Sequence, residues 1–423
     1  MRKIGTLALG GVAVLALVGC SGGSTTGSGG GGGDGSAEIR VWLVGTDTPD
    51  TARDYLKKTF EDENPGSTLV IEEQQWNGLV DKYTTALSGS DSPDVVEIGN
   101  TQAAAFTSAG AFTDLTDKYE ELGGDDLLQG FVEAGSYEDA FYAPPYYSGA
   151  RVVFYSPSIV GETVPTTLDE YVEQGAALKA DGLASGIYAP GKDWYNVLPF
   201  VWENGGYVAE QQDDGTWEAG FSTEGGIAGL EQMQEVYESA SGAPKDGDET
   251  NAQVPFCEGG VGFLSAPSWF QWSIKAAADA ETPGCPDTYG KDITAMALPG
   301  KDGGAAAAFA GGSNIAIPAK SANQELAYSA LQIILSEDYQ KLLAANGLIP
   351  AIAGAESALP DDAVTAAAAE AAKNARLTPA APKWADVEAA QVLQDAFVQL
   401  AQGADPEEIA ASLDEEIEAI LNG

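Results

Sequence analysis

Aromatic side chains recur where the chain has little structural reason to place them. Trp194 and Tyr195 directly follow the polar run Pro190-Gly191-Lys192-Asp193, and Trp269 follows Ser265-Ala266-Pro267-Ser268. Tyr146 stands beside Pro144-Pro145, and Trp384 follows Pro382-Lys383. Polar side chains with hydrogen-bonding ends sit at similar breaks. Asn100 lies where a short strand meets a helix and Asn314 after Gly312-Ser313; Arg151, Glu203 and, as a weaker candidate, Asp47 join them. Flat rings combined with amide, carboxylate and guanidinium groups suit a ligand with apolar C–H faces and a rim of hydroxyls, held where water is excluded. Ordinary roles compete at every position. Capping competes for Asn100 and Asn314, charge pairing for Arg151 and Glu203, and packing for the rings, most strongly at Trp42, Trp76 and Trp272.

Catalytic chemistry finds less support. The chain has no histidine, which removes Ser-His-Asp and Cys-His catalysis and the commonest zinc ligand. Paired carboxylates of the kind a glycoside hydrolase uses are available by chance in a chain with 64 Asp and Glu, so their presence carries little weight. Asp246-Gly247-Asp248-Glu249 hints at calcium but lacks the spacing of a calcium loop and reads as a solvated turn. No metal, cofactor or enzymatic activity is expected.

The N-terminus speaks to location. Arg2 and Lys3 precede an apolar stretch from Ile4 to Val18, the length of a signal-peptide core and short for a membrane span. Leu17-Val18-Gly19-Cys20 resembles the lipobox of bacterial lipoproteins, which implies removal of residues 1–19 and lipidation of Cys20. Ser21 to Ser36 is almost wholly Gly, Ser and Thr, so residues 20–37 read as a lipidated cysteine and a flexible tether. Nothing after Glu38 reads as a second span. The formal charge of −44 repels nucleic acid and anionic lipid, so membrane contact is expected through the anchor alone. Cys257 and Cys285 are an even pair in an oxidising compartment and predict a disulfide.

The elements that must position the candidates begin with alternation over 38–44, a strand, and helical spacing over 51–63. A strand over 69–73, a helix over 76–87, a short buried strand over 94–98 and a helix opening at 99–101 follow. That alternation predicts a parallel α/β sheet. Tyr142-Ala143-Pro144-Pro145-Tyr146 interrupts it before a strand over 151–155. Helices are expected over 167–180, with Thr166 or Thr167 and Glu170 set for a capping box, and over 225–239, 325–336, 339–346 and 363–375. Strands are expected over 261–264, 293–298 and 315–317.

Ser92-Pro93-Asp94-Val95-Val96, Ala109 to Leu115, Pro165 to Glu170, Phe309 to Asn314 and Ala345 to Pro350 occur in that order. Together they resemble the extracellular solute-binding proteins of carbohydrate importers, the family containing the maltose-binding protein. Trp76-Asn77-Gly78, Glu97 to Gln102, Trp194-Tyr195, Glu203 to Gly206, Ala243 to Asp246 and Pro382-Lys383-Trp384 resemble the actinobacterial receptors for N,N′-diacetylchitobiose and related aminosugars. Cys257, Cys285 and Pro145-Tyr146-Tyr147 depart from that subgroup.

The resemblance implies a two-lobed α/β fold of the periplasmic-binding-protein type. One lobe would take 38–146 and 311–350, and the other 147–310 and 351–423. Crossings would fall at 144–150, 308–312 and near Pro350, where Gly and Pro suit hinges. It implies a monomer that captures an oligosaccharide by closure and hands it to the permease of an ABC-type importer. Asn100, Tyr146, Arg151, Trp194, Tyr195, Glu203, Trp269, Asn314 and Trp384 would be the candidate contacts. Receptors for maltose, cellobiose, xylobiose or trehalose, a binding protein for a cationic solute, an adhesion protein and an exported glycoside hydrolase are the competing classes. The absence of repeats argues against adhesion.

Overall fold

The computed structural model describes residues 37–288 and 291–423. The expected signal peptide over 1–19, Cys20 and the tether up to Ser36 lie outside the described residues.

The chain opens with β1 (Glu38–Val44), α1 (Asp50–Glu63), β2 (Thr68–Gln74), α2 (Leu79–Ser88), β3 (Val95–Gly99) and α3 (Asn100–Ser108). β1 pairs in parallel with both β2 and β3. α1 buries Ala52, Leu56 and Phe60, a spacing of four that lays one stripe on the sheet. α2 starts three residues later than the spacing predicts. Gly78 takes a left-handed conformation (φ 74°) just before it, which leaves Trp76 in the turn ahead of the helix.

β4 (Pro145–Tyr155) is the long strand of the molecule. It begins inside the segment read as an interruption, with Pro145 at its first position, where a missing N–H does least harm to a ladder. α4 (Leu168–Ala180), β5 (Ser185–Tyr188), α5 (Trp194–Glu203), α6 (Glu224–Glu235), β6 (Val261–Pro267), β7 (Thr294–Met296) and β8 (Ala310–Ala316) follow. At the start of α4 the Thr167 hydroxyl accepts from Glu170 N–H, while Glu170 reaches back to Thr166 N–H, one residue further than in the usual capping box. α6 runs on into a π-helical turn over Val236–Ala240. α7 (Gln324–Ile334), α8 (Glu337–Ala344), β9 (Ile349–Pro350), α9 (Ala363–Ala372), α10 (Trp384–Ala389), α11 (Val392–Ala401) and α12 (Pro406–Asn422) complete the order.

The main strands are ordered β2-β1-β3-β8-β4-β6-β5, with β7 and β9 also on β4. β4 belongs to both halves. Its residues Tyr147 to Ala150 pair with β8, and Arg151 to Tyr155 pair with β6. Gly149 faces Gly311, and Ser148 faces both Gly312 and Ile349. The three segments marked as crossings therefore run side by side. Separate cores serve the two halves. Ile39, Leu56, Phe60, Ile315 and Leu331 belong to the first, and Val153, Leu168, Phe263, Trp384 and Phe397 to the second. The fold is two-lobed α/β. Among the described residues no helix is long and apolar enough to cross a membrane.

Cys257 and Cys285 are joined by a disulfide, with Cα atoms 5.4 Å apart and a sequence separation of 28. Closing a loop of that length in the unfolded chain is worth about 3.6 kcal/mol. The double variant Cys257→Ala, Cys285→Ala is expected to lose about 2–4 kcal/mol of unfolding free energy, read by urea denaturation without reductant.

Candidate functional site

A cleft of about 220 Å³ opens over the β4–β8 ladder. One wall comes from the carboxyl ends of the parallel strands, where open α/β sheets collect ligands. It carries Asp47 after β1, Trp76 after β2, and Gly99 to Gln102 at the β3–α3 junction. The floor is Tyr147 with Gly311 to Ser313. The facing wall is Arg151, Tyr195, Glu249, Pro267, Trp269 and Phe309.

Two glycines seat Trp269. A Cβ at Gly149 would lie 2.2 Å from its ring and one at Gly311 3.0 Å. Because these glycines face each other across the ladder, the indole rests directly on backbone. Tyr195 is held from behind, its ring 4.0 Å from Trp194 and 4.9 Å from Phe309, centroid to centroid. The Arg151 guanidinium lies 5.1 Å from its centroid.

Arg151 is 3% exposed, and its fork is largely committed. Nε donates to Asn196 Oδ1 at 3.2 Å, Nη2 to Asp193 Oδ1 at 3.3 Å and Nη1 to Glu249 Oε2 at 3.0 Å. Asn196 Nδ2 donates to Asp193 Oδ2 at 2.6 Å. Burial raises the Asp193 carboxyl above its ordinary range, against the pull of Arg151. The guanidinium thus fixes Glu249 at the cleft edge. The run from Asp246 to Glu249 is not simply a solvated turn, because its last residue reaches the buried cation.

Under the floor, Glu97 is fully buried. It accepts from Val44 N–H at 2.8 Å and from the Tyr147 hydroxyl at 3.1 Å, yet burial pushes its pKa up to about 7. That hydroxyl also lies 3.4 Å from Asp47 Oδ2. Burial raises Asp47 too, opposed by Tyr147, Arg53 and Trp76. An acid whose folded pKa exceeds its unfolded one binds an extra proton when folded, so its contribution falls as pH rises through the folded value. Glu97→Gln stays neutral throughout. The unfolding free energy of this variant minus that of the parent is expected to rise by about 2–3 kcal/mol between pH 5 and 8. Urea denaturation across that range measures it, and a flat difference contradicts it.

The cleft brings together Asn100, Arg151, Tyr195 and Trp269 among the residues singled out in sequence, with the weaker candidate Asp47. The others lie off its walls. Tyr146 points into the first core, its hydroxyl 2.7 Å from both Thr48 Oγ1 and Tyr339 Oη. Side chains alternate along a strand, so Tyr147 takes the cleft position. Asn314 is fully buried and donates through Nδ2 to the carbonyls of Phe131 and Ala143. Glu203 accepts from the N–H groups of Lys301 and Ala307 and pins that turn. Trp384 is fully buried, its indole N–H directed at Glu388. Trp194 opens a helix instead of standing in a loop, and is 2% exposed. Trp42 is buried with its N–H on Glu72. Trp272, favoured for packing, is 49% exposed under Lys275. Trp76, Tyr147, Thr101, Gln102, Glu249 and Phe309 are lining residues that the sequence did not single out as contacts. Gly99 is the N-cap of α3 and Asn100 its first helical position, so Asn100 does not take the capping role that competed for it.

A cleft between two α/β halves joined by adjacent crossing strands defines a class of hinged receptors. The chain belongs to the bacterial extracellular solute-binding protein family, whose profile matches residues 45–341. Within it, the chain is 32% identical over 397 residues to the diacetylchitobiose binding protein DasA of Streptomyces coelicolor, covering 92% of this chain and 90% of that one. Among solved structures, the GacH receptor of Streptomyces glaucescens aligns with a TM-score of 0.76 at 20% identity, over 92% of this chain and 99% of the other. The sugar-binding protein MalE of Xanthomonas citri aligns with a TM-score of 0.77 at 20% identity, over 91% and 97%. The two structural likenesses concern the fold.

Proposed function

We propose that this protein captures N,N′-diacetylchitobiose or a related chitooligosaccharide and delivers it intact to the permease of an ABC-type importer. The observation that carries this reading is the 32% identity to DasA across 92% of the chain. The cleft supports it, with Trp76 on one wall and Tyr195 and Trp269 on the other. Such rings stack on the C–H faces of a pyranose while Asn100, Asp47 and Glu249 meet its rim. Arg151 acts behind them by holding Glu249. The two lobes divide along the β4–β8 ladder, with boundaries near 146–147, 310–311 and 350–351, and they close on the sugar because the closed state makes the additional contacts. The receptor works as a monomer on the outer face of the membrane, held by lipid on Cys20 and spaced from it by the Gly/Ser tether.

A thermal-shift screen tests the sugar directly, because a ligand stabilises the state that binds it. N,N′-diacetylchitobiose at about 100 times its Kd should stabilise the protein by about 2.7 kcal/mol. Maltose, cellobiose, xylobiose and trehalose at equal concentration should do much less. A larger shift with one of those sugars would transfer the assignment to it.

A further inference from the structure

The β3–α3 turn presents two polar atoms that the protein leaves unused. Asn100 is 7% exposed and lines the cleft, and its Nδ2 has no hydrogen-bond partner among the described residues. Gln102 lines the same cleft, and its Oε1 is buried and equally unpartnered. Buried polar groups left unmatched are costly, so a donor and an acceptor on one short turn point to a ligand that supplies the complement of both.

The orientation of Gln102 is imposed from across the cleft. Its Nε2 donates to Thr101 Oγ1 at 2.8 Å and to Glu388 Oε2 at 3.1 Å. A flipped amide would aim its oxygen at a carboxylate, which cannot donate when ionised. Glu388 also accepts from Thr101 Oγ1 at 3.1 Å and from Trp384 Nε1 at 3.2 Å. Its helix, α10, is rooted in the second core by Trp384 and Val387. With Nε2 taken by Glu388 of the opposite half, Gln102 Oε1 is held beside Gly99 at the cleft wall. Beside it stands an apolar plate. A Cβ at Gly99 would lie 2.4 Å from Gln102 Oε1 and 3.3 Å from Trp76 Cζ3, so the acceptor and the indole edge occupy one corner.

We infer that this corner recognises the acetamido group of an N-acetylated sugar. The acetamido carbonyl accepts from Asn100 Nδ2, its N–H donates to Gln102 Oε1, and its methyl packs on Trp76. Glu388 is a positioning residue that sets which end of Gln102 faces the ligand. A hydroxyl at the same carbon offers one atom and no methyl, and leaves part of the corner unmatched. This inference rests on the reading of the cleft as an oligosaccharide site.

Calorimetric titration of the parent protein, Gln102→Leu, Glu388→Gln and Asn100→Asp with N,N′-diacetylchitobiose and cellobiose tests it. Cellobiose carries hydroxyls where the acetamido groups stand. The parent is expected to prefer N,N′-diacetylchitobiose by about a hundredfold or more. Gln102→Leu and Asn100→Asp each lose about tenfold for that sugar and under about threefold for cellobiose. Glu388→Gln frees the amide to flip and narrows the preference, an effect that a merely structural role would not produce. If the variants weaken both sugars by the same factor, or weaken neither, the inference is overturned while the receptor reading stands. A parent protein that ignores N,N′-diacetylchitobiose and binds a non-acetylated sugar overturns both the inference and the proposed sugar.

Discussion

Arg151→Met is expected to lower the unfolding free energy at pH 7.5 by about 3–5 kcal/mol, the usual cost of removing one partner from a buried ion cluster. The side chain is 3% exposed and serves two carboxylates, Asp193 and Glu249, with Asn196 as a third partner. Methionine fills much of the volume but leaves Asp193 buried without a cation. Burial already raises that carboxyl while Arg151 holds it down. Without the guanidinium its pKa climbs further, and protonation becomes the cheaper state. The deficit should therefore shrink as pH falls from 7.5 towards 5.5, since a proton bound more tightly by the folded form stabilises it. Urea denaturation at the two pH values reads both effects. A loss below about 1 kcal/mol, or one that grows on acidification, contradicts the role given to the cluster. Ligand affinity should fall as well, because Glu249 and the Tyr195 ring both depend on the guanidinium.

Trp269→Ala should cost at least about 2 kcal/mol of binding free energy, roughly thirtyfold in Kd, as removal of a central aromatic contact does. The indole lies over Gly149 and Gly311 on the cleft floor, so its loss uncovers backbone and leaves one sugar face unstacked. Gly149→Ala supplies an independent test. The added methyl would fall 2.2 Å from the ring, so the indole must leave its seat, and affinity should drop in the same direction with the tryptophan still present. Trp272→Ala is the control, because that ring is 49% exposed and off the cleft wall. Calorimetry on the three variants separates a stacking role for Trp269 from a general effect of losing a tryptophan.

Much of the first half was legible because its strands and helices carry unambiguous periods. β1, α1, β2, β3 and the opening of α3 lie within a residue or two of where periodicity puts them. The failures have local causes. The sequence cannot tell which of Tyr146 and Tyr147 faces the cleft until the phase of β4 is known, and a shift by one residue exchanges the faces. Helical spacing begins at Trp76, but Gly78 delays the helix and leaves that ring in the turn ahead of it. Trp194 follows a polar run that reads as a loop, although Asp193 ends the turn and a helix starts at once. Glu249 was beyond reach, because nothing near it in sequence announces Arg151, 98 positions away. Glu203, Asn314 and Trp384 satisfy buried or turn backbone and side-chain groups, the competing roles that their residue types always allow.

A receptor of the proposed kind must hold an N-acetylated disaccharide in its cleft without altering it. Equilibrium titration of the purified protein with N,N′-diacetylchitobiose, followed by mass analysis of the sugar recovered from the complex, tests this most directly. The prediction is saturable one-to-one binding with a micromolar or smaller Kd, about 8 kcal/mol or more, and recovery of the disaccharide intact. An absence of binding heat at millimolar sugar, or recovery of monosaccharide from the complex, would contradict it.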